Sequence, residues 1–299
     1  MGTAIGVLAW CERRSTGEAA IDAVMAEMHR IDAAMSPYKP ASELSRINRL
    51  AAQRAVPLSE EMLALLRRAR QFSQFSGGAF DITYAAVGQL YDYRRGVAPS
   101  DEQVASAMAA VGWRGLILDE QARTVRFARE GMRIDLGGFA KGHAVELGAG
   151  ILRRFGIAHG IVSAGGDSRI VGDRLGRPWT IGIRDPRRAG QVAAVLPLEE
   201  VALSTSGDYE RYFDAGAVRH HHLIDPRSGR SPSSVRSVTV VAGDGLTSEA
   251  LSKTVFVLGV VDGLRLVEMQ AGADAVVIDA HGRLHFTSGL LADGERVEH

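Results

Sequence analysis

One cysteine, Cys11, stands in a chain of 299 residues. An intramolecular disulfide is therefore excluded, as is any zinc or iron–sulfur site built from cysteines. Excess charge of either sign is also missing, because 35 Lys and Arg meet 35 Asp and Glu and the formal charge is zero. Broad nucleic-acid or anionic-membrane surfaces draw affinity from clustered positive charge, so this balance argues against both. No apolar run approaches the roughly 20 residues that a membrane-spanning helix needs. No basic and apolar leader with a cleavage site precedes Met1-Gly2-Thr3-Ala4-Ile5, so the sequence reads as a cytosolic chain or as a mature form given without its leader. Internal repeats, low-complexity tracts and long linkers are absent too.

What is present is an ordinary globular balance, 46% apolar and 23% charged, in a chain long enough to bury a core without staples. Glycine is the exception: its 34 residues are about one in nine, against a usual one in fourteen. They gather at Gly77-Gly78, Gly137-Gly138, Gly165-Gly166 and Gly207, as tight turns or close backbone approach to a ligand require. Apolar periodicity predicts a first strand around Ile5–Leu8, then a helix over 15–35 capped by Ser15 or Thr16, and helices from Ser42 and from Ser59 to Phe75. Beyond residue 113 short strands dominate, at 116–118, 124–127, 132–134, 160–164, 169–171, 179–183, 201–204, 221–224 and 237–241. Helices at 139–155, 247–258 and 261–271 and a closing strand pair, 275–278 and 284–286, complete the pattern. It is α+β with antiparallel sheets, not a regular βαβ series. Cys11, within a short apolar run, reads as a strand-packing residue.

Four glycine-bearing segments could carry chemistry. In Ser76-Gly77-Gly78-Ala79-Phe80-Asp81-Ile82-Thr83 the glycines could admit a planar or anionic ligand, or simply cap a helix. Ile134-Asp135-Leu136-Gly137-Gly138-Phe139-Ala140-Lys141-Gly142 leads into a helix N-terminus where amides and Lys141 favour phosphate, or it is a plain β-to-α turn. It is neither a Walker loop nor a GxGxxG fingerprint. Ala164-Gly165-Gly166-Asp167 reads first as a hairpin turn. Ser204-Thr205-Ser206-Gly207-Asp208-Tyr209 could bind phosphate or sugar through its hydroxyls, or form a side-chain-capped turn. The run His220-His221-His222 cannot place three imidazoles on one metal, because successive strand residues face opposite ways. One inward histidine serving as acid, base or phosphate donor is the better reading. A triad of Ser206, His222 and Asp225 lacks the GxSxG elbow.

In series these segments resemble the FAD:protein FMN transferases, the ApbE flavin-transferase family. The matching elements are Met1-Gly2-Thr3, Met35-Ser36-Pro37-Tyr38 with Ser42-Glu43-Leu44 and Asn48, Gly78-Ala79-Phe80-Asp81, and Asp135-Leu136-Gly137-Gly138 with Lys141-Gly142. They continue with Gly165-Gly166-Asp167, Thr205-Ser206-Gly207-Asp208, His222-Leu223-Ile224-Asp225-Pro226, and Glu249-Ala250-Leu251 leading to Phe256-Val257-Leu258-Gly259. The resemblance implies one α+β domain over residues 1–290 with flanking helices, a short tail at 291–299, and FAD bound in a cleft. It implies transfer of the FMN half through a phosphoester to a threonine of a target flavoprotein, with AMP leaving. Such targets belong typically to membrane-linked redox complexes, which implies a periplasmic or membrane-associated setting. Met1, Tyr38, Gly78, Ala79, Phe80, Asp81, Asp135, Lys141, Gly166, Asp167, Ser206, Gly207 and Leu223 would then contact the nucleotide, with Lys141 and His222 in catalysis.

The resemblance also implies magnesium on the FAD diphosphate, held by the Gly138 carbonyl and by an Asp and a Thr four apart on a later helix. Here Glu249 and Lys253 occupy the latter two positions. Glu still offers a hard oxygen, but a protonated Lys cannot ligate a cation. Three readings stay open: a Glu249–Lys253 salt bridge filling a vacated site, Lys253 replacing part of the metal's charge, or a retained magnesium on Gly138, Glu249 and Ser252. Two other functions compete with the transferase, namely an FAD-binding module without catalysis and a pyrophosphatase giving FMN and AMP.

Overall fold

Ser42, Ser59, Ser100 and Asp244 each accept, through a side-chain oxygen, the backbone N–H three residues further on. Each starts a helix by satisfying a donor that the helix itself leaves open. At Ser100 the bond is reciprocal, since the Gln103 side chain accepts from the Ser100 N–H in a capping box.

The computed structural model describes residues 2–216 and 218–291. In chain order come β1 (Ile5–Trp10), α1 (Arg14–Met35), α2 (Glu43–Leu50), β2 (Val56–Pro57), α3 (Glu60–Phe75), α4 (Ala85–Gly88) and α5 (Asp101–Met108). Then follow β3 (Leu116–Asp119), β4 (Thr124–Phe127), α6 (Ala140–Arg154), β5 (His159–Ala164), β6 (Asp167–Val171), β7 (Trp179–Arg184) and β8 (Val192–Leu198). The remainder comprises β9 (Ala202–Gly207), β10 (Tyr212–Ala215), β11 (Val218–His221), β12 (Val235–Ala242), α7 (Gly245–Leu258), α8 (Val260–Glu268), β13 (Asp274–Asp279) and β14 (Leu284–Phe286). The mixed α+β composition with antiparallel sheets agrees with the expectation. These elements fall into two compact units.

The first unit contains residues 2–32, Phe139–Gly207 and residues 234–291. Its sheet runs β1-β5-β6-β9-β12-β13-β14 with every pair antiparallel. Strand alternation gives the sheet two working faces. On one, Ile170, Leu203, Val241 and Val276 pack against Trp179, Ile183, Leu196 and Leu198 of the β7–β8 hairpin. The other receives α6 and α7. There the two helices meet at glycines: a Cβ on Gly142 would lie 2.1 Å from the Gly245 carbonyl oxygen, and one on Gly245 would lie 2.3 Å from that of Gly142. No side chain fits between backbones in such contact.

The second unit contains Ala33–Gly138 and Asp208–Ser233. Helix α3 buries Met62, Leu65, Leu66, Ala69 and Phe72, while β2-β4-β3 forms a small antiparallel sheet. Val87, Tyr91, Val104 and Ile224 form a further core, and the Tyr91 hydroxyl donates to the Gly229 carbonyl at 2.9 Å.

Several local expectations are corrected. Helix α1 begins at Arg14, so Ser15 and Thr16 lie inside it rather than capping it. Residues 132–134 form no strand, because the Asn48 amide serves as the partner there: it accepts from Ile134 N–H (2.8 Å) and donates to Ile134 carbonyl (2.9 Å). Ser204–Gly207 is strand, not a capped turn, because its hydroxyls find partners on both sheet faces. The strand expected at 221–224 ends at His221. Cys11 lies just past β1 and is exposed, not packed.

Candidate active site

The register of the first unit places Asp167 directly opposite Ser204 on the face that α6 and α7 cover. From α6, Lys141 reaches down to Asp167 Oδ2 at 2.5 Å and also donates to Glu249 of α7. The other Glu249 oxygen accepts the Gly142 N–H at 2.7 Å. Helix α6 has no side-chain cap of its own at Phe139, so a carboxylate 107 residues away completes its first turn. The glycine contact between the helices allows that approach.

One turn on from Glu249, Lys253 Nζ stands 3.4 Å from Glu249 Oε1, 3.4 Å from Ser252 Oγ and 3.5 Å from Ser204 Oγ. Ser252 Oγ donates to the Glu249 carbonyl at 2.9 Å. Ser252 Oγ also lies 2.9 Å from Ser204 Oγ and 2.9 Å from Ser206 Oγ. Two ammoniums thus face two carboxylates among three serines. The carboxylates are hidden and the lysine side chains only partly so: Asp167 and Glu249 side chains are 2% and 0% exposed, those of Lys141 and Lys253 22% and 16%. Burial works against the Lys141 charge, but Asp167 and Glu249 overcome it and hold the amine above its ordinary value. For Lys253, burial and then the Lys141 charge prevail and lower it. Asp167 is held below the usual carboxylate range by the two lysines, against its burial.

In the second unit, Gly77 and Gly78 close α3: Gly78 N–H donates to Ser73 carbonyl (2.8 Å) and Gly77 N–H to Gln74 carbonyl (3.2 Å), both with positive φ. That is the Schellman arrangement, the capping alternative of the sequence reading. Ala79 and Phe80 are buried, Phe80 lying edge-on to Phe72. Asp81 accepts from Thr83 N–H and hydroxyl at 2.8 and 2.7 Å and from Trp113 N–H at 2.8 Å. Burial outweighs these neutral donors and raises its carboxyl. Asp135 accepts the Gly137 N–H at 2.5 Å, and its own N–H donates to the Ile82 carbonyl, which brings the two motifs side by side.

Tyr38 is 86% exposed. Leu223 is buried, and His222 follows β11 with its N–H on the Arg211 carbonyl. Asp225 holds Arg227 in a turn, which leaves the Ser206–His222–Asp225 triad without its acid. Gly165-Gly166 is the β5–β6 hairpin turn, and Gly207 ends β9. Met1 lies outside the described residues.

Sequence reasoning missed Tyr84. Burial, then Asp135, Tyr93 and Tyr38, hold the Tyr84 phenol well above its ordinary value, with Arg211 pulling the other way. Its place three residues after Asp81 was the available signal.

The implied metal donors do not suit a divalent cation as they stand. Both Glu249 oxygens are engaged, Ser252 is tied into the serine chain, and Lys253 brings an ammonium. An ammonium ~4 Å from a dication opposes it by about 8 kcal/mol at an effective dielectric near 20, twice the unit-charge value. Among the described residues, no group of three His, Cys, Asp or Glu could hold a metal ion.

The family profile described as "ApbE family" matches residues 1–277. A Rhodobacter capsulatus protein named FAD:protein FMN transferase is 34% identical over 286 residues, covering 94% of this chain and 54% of its own length. The chain thus spans about half of that relative. A Treponema pallidum protein of the same name is 30% identical over 291 residues, covering 91% of this chain and 80% of its own. The crystal structure of the ApbE protein from Thermotoga maritima superimposes with a TM-score of 0.90 at 32% identity, over 96% of this chain and 94% of that one. The flavin transferase ApbE from Vibrio cholerae gives 0.84 at 27% identity, over 96% and 94%. A fold, a motif series and a profile that agree over nearly the whole chain make it a member of the ApbE family.

Proposed function

We propose that this protein transfers the FMN moiety of FAD to a threonine of an acceptor flavoprotein, a subunit of a redox complex. The threonine oxygen bonds to the phosphorus of the FMN half while the diphosphate bridge on that phosphorus breaks. The threonine proton is released, and AMP leaves with the bridging oxygen. Such a reaction asks a protein for position and charge rather than covalent help. The observation that carries the reading is the Lys141–Lys253 pair, whose partly exposed side chains belong to a cluster with buried carboxylates. Two ammoniums brought together in one cluster suit a diphosphate. His222 is assigned the threonine proton, its imidazole being suited to transfer near neutrality.

The test incubates the chain with FAD and a purified acceptor subunit, and follows AMP, free FMN and protein-bound flavin. AMP with labelled acceptor supports the transferase. AMP with free FMN instead makes it a pyrophosphatase, and absence of AMP makes it a binding module. His222→Asn is expected to lower transfer sharply with FAD binding retained, and an unchanged rate removes His222 from that role.

A further inference from the structure

The two lysines of the first unit are held very differently. Lys141 is clamped, with Asp167 Oδ2 at 2.5 Å and a second bond to Glu249. Lys253 makes only long contacts, 3.4 Å to Glu249 Oε1, 3.4 Å to Ser252 and 3.5 Å to Ser204. All three are beyond the usual N–H···O range, so its donors are free to shorten onto an arriving acceptor. Glu249 is the carboxylate that would have to receive a cation, yet Lys141, Lys253 and the Gly142 N–H surround it. The cluster is formally neutral, and the side chains it leaves partly exposed are those of the lysines. A dication seeking Glu249 is opposed by the two ammoniums already on it, whereas a diphosphate gains their donors.

We propose that Lys253, with Lys141 held on the same Glu249 by the two carboxylates, holds the FAD diphosphate in the role of a divalent cation, so that FAD binding by this chain requires no metal. The proposal rests on the FAD-binding reading above. Lys253 supplies one positive charge and three hydrogen-bond donors where a cation would supply two charges and coordination sites. The serine chain Ser206–Ser252–Ser204 fixes the hydroxyls against which the ammonium rests.

The test is titration of the full chain with FAD, read by flavin fluorescence, once in millimolar magnesium and once in EDTA. The expected result is a Kd that differs less than three-fold between the two conditions. A Kd three-fold or more weaker in EDTA overturns the proposal, and this comparison needs no variant. Lys253→Thr is then expected to bind FAD at least ten-fold more weakly in EDTA and to recover with magnesium. Lys253→Met is expected to lose the same factor without recovery. Either folded variant binding FAD in EDTA as the unaltered chain does also overturns the proposal. If the unaltered chain binds no FAD in either condition, the FAD reading itself fails and this inference falls with it.

Discussion

Asp167 in the first unit and Asp81 in the second are both almost wholly buried, at 1% and 6% exposure, and they solve that problem in opposite ways. Asp167 sits against ammonium and is held below its ordinary value despite burial, whereas Asp81 has neutral N–H and O–H donors and is raised by burial. Their linkage to stability therefore has opposite signs. What Asp167 contributes is complete above its unfolded value of 3.8 and is lost as pH falls. What Asp81 contributes is complete below 3.8 and is lost as pH rises through its raised folded value. The neutral arrangement shapes a loop; the charged one ties α6 to β6 and to α7. A buried acid by itself therefore says little about function, and its partners decide.

Variants can break or sharpen that contrast. The largest effect is expected at Gly142→Ala, where the new methyl meets the Gly245 carbonyl oxygen at 2.1 Å and the α6–α7 contact must open. A loss beyond ~4–5 kcal/mol is expected, far above the ~1 kcal/mol that alanine gains in helix propensity. A thermal melt within a few degrees of the unaltered chain would show that the helices can part without cost. Next comes Glu249→Gln, which leaves Lys141 and Lys253 with one buried carboxylate between them and is expected to cost about 3–5 kcal/mol in chemical denaturation. Asp81→Asn removes no ion pair, and its expected cost is smaller, about 1–2 kcal/mol, mainly from the Trp113 N–H. Equal losses for these two variants would erase the distinction between the units.

The smallest effect is expected at His221. Burial lowers its pKa, and Nε2 lies 2.8 Å from the Pro232 carbonyl oxygen, to which the neutral ring donates. Below 6.5 the unfolded chain takes the proton first, so this contribution is present above 6.5 and declines as pH falls toward the lower folded value. Stability measured between pH 7 and 5 should fall, and His221→Gln should flatten the slope. An identical slope in the variant would assign the dependence elsewhere.

How much of this the sequence could tell depends on how far apart the partners lie. Helices α3, α6 and α7 were legible because their apolar periodicity is local, as are the caps of α3 and α7. The Glu249–Lys253 pair was legible for the same reason, one turn apart on α7. That Lys141 is clamped to Glu249, 108 residues away, was not, since no local signal links the two. Residues 132–134 looked like a strand because their apolar character is strand-like, while their actual partner is one distant amide, Asn48. Strand β9 was expected only as far as Ser204, because the hydroxyls that follow read as turn chemistry until Ser252 and Thr239 appear opposite them. Helix α5 was announced by Ser100 and Gln103 and was overlooked because it buries only Val104.

The cap that Glu249 places on Gly142 also has a kinetic consequence. An amide whose acceptor comes from another helix cannot be protected until that helix has docked. The Gly142 amide should therefore exchange its proton for deuterium only when α7 lifts away, together with the slowest amides of the central sheet rather than with the fraying ends of other helices. One N–H would thus report when the lysine cluster is assembled.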